Sequence, residues 1–80
     1  MRRNPRLVLL GQKVRSARES KGFSQEAFAN EVGLDRSYYG GVERGERNVA
    51  ALNLMRIGEA LRVDPGDLVP SLHDLKVRHR

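Results

Sequence analysis

Apolar residues recur along the chain at the three- and four-residue steps of a helix, interrupted by glycine and proline. Leu7, Leu10, Val14 and Ala17 make one such face, and a 3.6-residue period predicts a helix over residues 7–21. Lys21-Gly22 ends it, with a cation in the last turn and a glycine just past it. Arg18 falls on the apolar stripe, four residues after Val14, where a charge needs a partner. Ser24 is an N-cap candidate for a second helix, with Glu26 in its first turn, Phe28, Ala29 and Val32 on its apolar face and Gly33 as its end. Asp35 or Ser37 caps a third, running to about Arg44 and stopped by Gly45. A longer fourth helix covers roughly Ala51 to Arg62, with Ala51, Leu54, Ile57 and Leu61 on one side. Asp64-Pro65 fits the N-cap and first position of a short fifth helix through Val69, and Pro70 stops it. No strand pattern, internal repeat or low-complexity segment is visible. The expected fold class is all-α, with five short helices.

Composition narrows the picture. A chain of 80 residues hides only about 60% of its unfolded surface on folding, so its core must be used efficiently or a partner subunit must help. Cysteine is absent, which excludes disulfides, thiolate metal sites and a cysteine nucleophile. The longest apolar run, Leu7-Val8-Leu9-Leu10, is far below the roughly 20 residues of a membrane span and too short for a signal peptide. A soluble cytoplasmic protein with no membrane association is expected. The net charge of +5 points toward a polyanion, and its distribution is uneven. Residues 1–21 carry seven basic side chains and one acidic, whereas residues 22–75 carry five basic and nine acidic. A polyanion-binding face must therefore be built from a few placed arginines. Residues 1–6 read as a basic arm and residues 71–80 as a basic C-terminal tail, into which Leu72 and Leu75 continue the apolar spacing.

The second and third helices carry the informative spacing. Ala29 lies four residues after Gln25, Gly33 eight after it and Val42 seventeen after it. Two short helices crossing at roughly 90–120° through a tight turn need these residue types there. Ala29 must be small where the third helix passes over it. Gly33 must accept a positive φ. Tyr39 and Val42 face inward and hold the pair together. This is the spacing of a helix-turn-helix. No clustered Ser, His and Asp suggests catalysis, and His73 and His79 are too isolated for a metal site. No enzyme activity, metal or cofactor is expected.

The wider pattern Ser24-Gln25-Glu26-Ala27-Phe28-Ala29, Gly33-Leu34-Asp35-Arg36-Ser37-Tyr38, Val42-Glu43-Arg44-Gly45, Arg47-Asn48 and Ile57-Gly58-Glu59-Ala60-Leu61 resembles the Xre/Cro-repressor family of DNA-binding proteins. The resemblance spans residues 7–70, the expected DNA-binding domain. Within the family, Leu34 to Tyr38 with Gly41 to Arg44 looks like the small controller proteins of restriction–modification systems. The resemblance implies a buried ion pair between Arg18 and Glu43, which would answer the charge on the apolar stripe. It makes the third helix the recognition helix, whose early residues reach base edges. Arg36 is the leading base reader, because a guanidinium can bond guanine O6 and N7 together, with Ser37 and Tyr38 beside it. Gln25 matches a phosphate-contacting glutamine at a helix N-terminus, and Arg44, Arg47 and Asn48 are further phosphate contacts.

Two residues depart from the family pattern. Tyr39 stands where the family usually has Ile or Val, and is expected to pack its ring in the core with its hydroxyl reaching the surface. Gly40-Gly41 lies within the recognition helix, at about 0.5–1 kcal/mol per glycine relative to alanine. The position of Gly41 often carries a base reader in the family. Readout must then lean on Arg36 to Tyr38, or on close backbone approach and DNA shape. Leu52, Leu68, Val69 and Leu72 exceed the apparent needs of one small core. Because family members often dimerise through this region, these four are the expected homodimer interface, Leu68 foremost. The resulting expectation is a sequence-specific transcriptional regulator that binds a (pseudo)palindromic double-stranded DNA operator as a homodimer. With no sensor domain in the sequence, its input would be its own concentration, through autoregulation of the controller kind, with RNA polymerase as a further candidate partner. A phage-type or chromosomal Xre repressor is the close alternative. An antitoxin-like interaction module using residues 70–80 is the distant one.

Overall fold

The computed structural model describes residues 3–78, with side chains through residue 76. Six helices follow in order: α1 (Pro5–Ser20), α2 (Gln25–Val32), α3 (Arg36–Glu43), α4 (Ala51–Leu61), α5 (Pro65–Leu68) and α6 (Leu72–Arg78). The structure is all-α among the described residues. Met1, Arg2, His79 and Arg80 lie outside them.

The ends of the helices follow local chemistry. α1 begins two residues before the apolar stripe. Asn4 caps it by accepting the Arg6 N–H at 2.8 Å, and Pro5 supplies a first residue with φ already near helical. Ser24 caps α2 through the Ala27 N–H at 3.0 Å. Asp35, rather than Ser37, caps α3 through the Tyr38 N–H at 3.1 Å. Gly33 adopts φ 82° in the turn between α2 and α3, so the positive φ expected there is present. The sixth helix lies in the segment read as a tail. Ser71 Oγ accepts the Asp74 N–H, and Asp74 Oδ2 accepts the Ser71 N–H, each at 3.0 Å. This is a reciprocal capping box, and the Ser71-x-x-Asp74 spacing was a legible signal for it. Lys13 Nζ lies 3.6 Å from Asp74 Oδ2, tying α6 to α1.

The core comprises Leu10, Val14, Phe28, Ala29, Tyr39, Val42, Ile57, Leu61 and Leu68. The Phe28 and Tyr39 rings meet at 5.4 Å with a 59° tilt, and Phe23 packs edge-on against Phe28 at 5.2 Å. α1 and α3 approach so closely at Gly11 that a methyl there would collide with the backbone carbonyls of Val42 and Glu43. Leu68 corrects the interface expectation. It is only 2% exposed, because α5 folds back onto both α1 and α4. Its side chain fills the monomer core and has no surface to offer a partner.

Candidate nucleic-acid interface

α2 and α3 cross with Ala29 fully buried at their contact and Tyr39 and Val42 turned inward. This packing leaves the opposite side of α3 toward solvent. Arg36 and Ser37 lie exposed in its first turn. On a helix, residues four apart share a face, so Gly40 sits below Arg36 and Gly41 below Ser37. Tyr38 is only half exposed: its ring packs against the core, and its Oη accepts the Asn53 Nδ2 of α4 at 3.2 Å. The open surface of the first turn is therefore made chiefly by Arg36 and Ser37.

Behind this surface lies the buried charge anticipated at Arg18. Glu43 Oε2 accepts Arg18 Nε at 2.7 Å and Glu43 Oε1 accepts Arg18 Nη2 at 3.1 Å, a bidentate pair joining α1 to α3. Arg18 Nη1 also donates to the Phe23 carbonyl at 2.8 Å. Gln25 Nε2 donates to Glu43 Oε1 at 3.0 Å, and Tyr39 Oη donates to Glu43 Oε2 at 2.5 Å. The Tyr39 ring is in the core as expected, but its hydroxyl does not reach the surface. The acceptor one helical turn further along α3 takes it. Burial by itself would raise the Glu43 carboxyl. The hydrogen bonds from Arg18, Tyr39 and Gln25 outweigh it and hold that carboxyl below the usual range. The hydrogen bond to Glu43 raises Arg18, and burial followed by that same carboxylate pushes the Tyr39 phenol up. Every buried side-chain N and O among the described residues has a partner.

A basic rim borders α3. Arg44 Nε donates to Glu46 Oε1 at 3.0 Å, and Arg3 Nη2 reaches Glu46 Oε2 at 2.9 Å. Glu46 therefore draws the segment before α1 to the turn after α3. The Arg44 hydrogen bond holds its carboxyl low. Arg3, Arg15, Gln12, Gln25 and Arg44 surround a cleft of about 230 Å³ with Glu43 in its wall. The Gln25 amide in this cleft donates to Glu43. Arg47 and Asn48 are exposed in the following loop. Among the described residues, no three His, Asp or Glu side chains come together to hold a metal.

The family model for helix-turn-helix proteins matches residues 14–68. This chain belongs to the helix-turn-helix family. Control protein C.BamHI of Bacillus amyloliquefaciens is 50% identical over 63 residues, which are 78% of each chain. The crystal structure of the restriction–modification controller protein C.AhdI from Aeromonas hydrophila superposes with a TM-score of 0.75 at 52% identity, over 78% of this chain and 94% of that one. SinR, a master regulator for biofilm formation solved in complex with DNA, superposes with a TM-score of 0.71 at 28% identity, over 74% of this chain and 95% of that one.

This helix-turn-helix protein also exposes large apolar side chains outside α3. Leu52 is 58% exposed, Met55 49%, Val69 44% and Leu72 78%. Leu52 and Met55 lie three residues apart, on one face of α4. Met55 also lines a concavity of about 330 Å³ with Gly58, Glu59, Arg62, Val63, Asp64 and Pro65. Reasoning from sequence missed Met55 as a surface residue and Arg3 as part of the basic rim. The i, i+3 spacing to Leu52 was a signal for the first. No local pattern announced the second, because its partner Glu46 is 43 residues away. No helix among the described residues is long and apolar enough to cross a membrane.

Proposed function

We propose that this protein is a sequence-specific transcriptional regulator of the restriction–modification controller type, binding a (pseudo)palindromic DNA operator as a homodimer in the cytoplasm. The exposed first turn of α3 carries the reading. Arg36 there has no carboxylate partner among the described residues, on a helix held from behind by the Arg18–Glu43 pair. In a major groove Arg36 reads guanine, Ser37 makes an adjacent contact, and Tyr38 is braced by Asn53 at the edge of the reading surface. Gln25, Arg44, Arg47 and Asn48 contact phosphates on either side. The dimer forms through Leu52, Met55 and Val69, with Leu72 at its margin, so that two copies of α3 meet half-sites about 34 Å apart. Regulation of its own promoter, with RNA polymerase as a further partner of the bound dimer, completes the proposal.

Selection of bound duplexes from a random pool tests this directly. The expected result is a two-fold symmetric motif, bound about 10³-fold or more tighter than scrambled DNA at the same salt. Arg36→Ala should remove about 1–3 kcal/mol of that preference. Equal affinity for selected and scrambled DNA overturns the proposal.

A further inference from the structure

The second turn of α3 has two consecutive glycines on the side where a recognition helix presents side chains. Their backbone has no positive φ, so the helix itself does not require glycine at either position. Both are nevertheless buried, and the groups covering them include two arginines from beyond the end of the helix. A Cβ on Gly41 would lie 2.7 Å from Arg47 Cγ, 3.4 Å from its Nε and 3.6 Å from its Cδ. A Cβ on Gly40 would lie 2.9 Å from Arg44 Nη1 and 3.3 Å from Gln25 Oε1. Contacts below 3.0 Å cannot stand, so any side chain here must move the arginine above it.

The turn after α3 aims these arginines back over the helix. Gly45 adopts φ 76°. Its N–H bonds the Val42 carbonyl at 3.1 Å, and the Glu46 N–H bonds the Gly41 carbonyl at 2.8 Å, the paired bonds of a Schellman turn. The chain therefore reverses just where Arg47 can lie along Gly41. Glu46 also holds Arg44 at 3.0 Å. Arg47 has no carboxylate partner among the described residues, so packing against Gly41 is what fixes its stem while its charge stays free.

We infer that Gly40 and Gly41 are positioning residues of the DNA-binding surface. Their bare backbone seats Arg44 and Arg47 across the second turn of α3, below Arg36 and Ser37, where the helix has no side chain of its own. The inference rests on the proposed DNA contacts of Arg44 and Arg47. It explains why the recognition helix keeps two residues that weaken it.

The test uses the full chain and the duplex recovered from the random pool, with melting and DNA titration over a range of salt. Gly41→Ala is expected to stay folded and to melt near the wild type, because alanine is the better helix former and offsets the displacement of the exposed Arg47 side chain. It is expected to bind the duplex about tenfold or more weakly, as for the loss of one charge-assisted contact. The slope of log affinity against log salt should shrink by about 0.9, one phosphate's worth. Arg47→Ala should do the same, and Gly41→Ala should cost nothing further in the Arg47→Ala background. Gly40→Ala should couple to Arg44→Ala likewise. If Arg47→Ala weakens binding but Gly41→Ala leaves affinity and slope unchanged, the seat is refuted while the DNA reading stands. Additive losses in the double variant also refute it. If Arg47→Ala has no effect on binding, the phosphate assignment fails and the inference falls with it.

Discussion

Replacing Glu43 with alanine removes one carboxylate that accepts four hydrogen bonds, two from Arg18 and one each from Gln25 and Tyr39. Arg18 is only 7% exposed and keeps its bond to the Phe23 carbonyl and a looser ion pair, at 3.9 Å, with the exposed carboxylate of Glu19. A guanidinium cannot escape by losing its proton, so the variant holds a buried cation without its buried counterion. Breaking a buried pair in this way costs about 3–5 kcal/mol. At about 0.05–0.15 kcal/mol per residue, a chain of this length has about 4–12 kcal/mol in total. Urea denaturation followed by circular dichroism reads the difference. With a slope near 1 kcal/mol per molar, the midpoint should fall by about 3 M or more. Arg18→Met combined with Glu43→Leu should recover part of the loss: removing both charges together is often neutral or stabilising, while the buried Tyr39 hydroxyl still lacks its acceptor. Wild-type stability should also fall in acid. A carboxyl held below its ordinary value contributes stability that is fully present above about pH 4.3 and is lost as pH falls through its folded value. A Glu43→Ala midpoint equal to that of the wild type would refute the ion-pair reasoning. A double variant as unstable as the single would refute the explanation by a stranded charge.

At the alkaline end, burial and the Glu43 hydrogen bond raise Tyr39, so its contribution is fully present below about pH 10 and is lost as pH rises further. Melting temperature should drop above pH 10 in the wild type and less steeply in Tyr39→Phe; parallel profiles would contradict this. Arg62 ends α4 at φ 58°, a left-handed conformation that costs a non-glycine residue about 1–2 kcal/mol. Arg62→Gly should therefore raise stability by about 0.5–1 kcal/mol after glycine's larger unfolded-state entropy is deducted, read as a higher urea midpoint. Met55→Lys should shift the mass seen in sedimentation toward the monomer without lowering the melting temperature of the isolated chain, because Met55 is 49% exposed. A variant that stays dimeric would remove α4 from the interface.

Much of the candidate site was readable from single residues and their neighbours. Arg18 announced a buried partner because a charge stood on an apolar stripe. Gly33 announced a turn, and Asp35 stood where α3 needed a cap. The rest depended on groups far apart in sequence. The Tyr39 hydroxyl seemed free to reach solvent until α1 and α3 were brought together around Glu43. Leu68 looked like surplus apolar surface until α5 folded onto α1 and α4. The glycine pair in α3 read as missing side chains, whereas its surface is covered by Arg44 and Arg47 from the following turn.

Helix starts and stops were legible along the chain, because periodicity, caps and left-handed glycines act over a few residues. So was the close crossing of α2 and α3, through Ala29 and Gly33. Which charges share Glu43, which apolar side chains remain outside and which arginines lie over the glycines of α3 were settled by packing. Those outcomes depend on crossing angles and on turns that reverse the chain, and a side chain's partner is set by distance in space rather than by spacing along the chain.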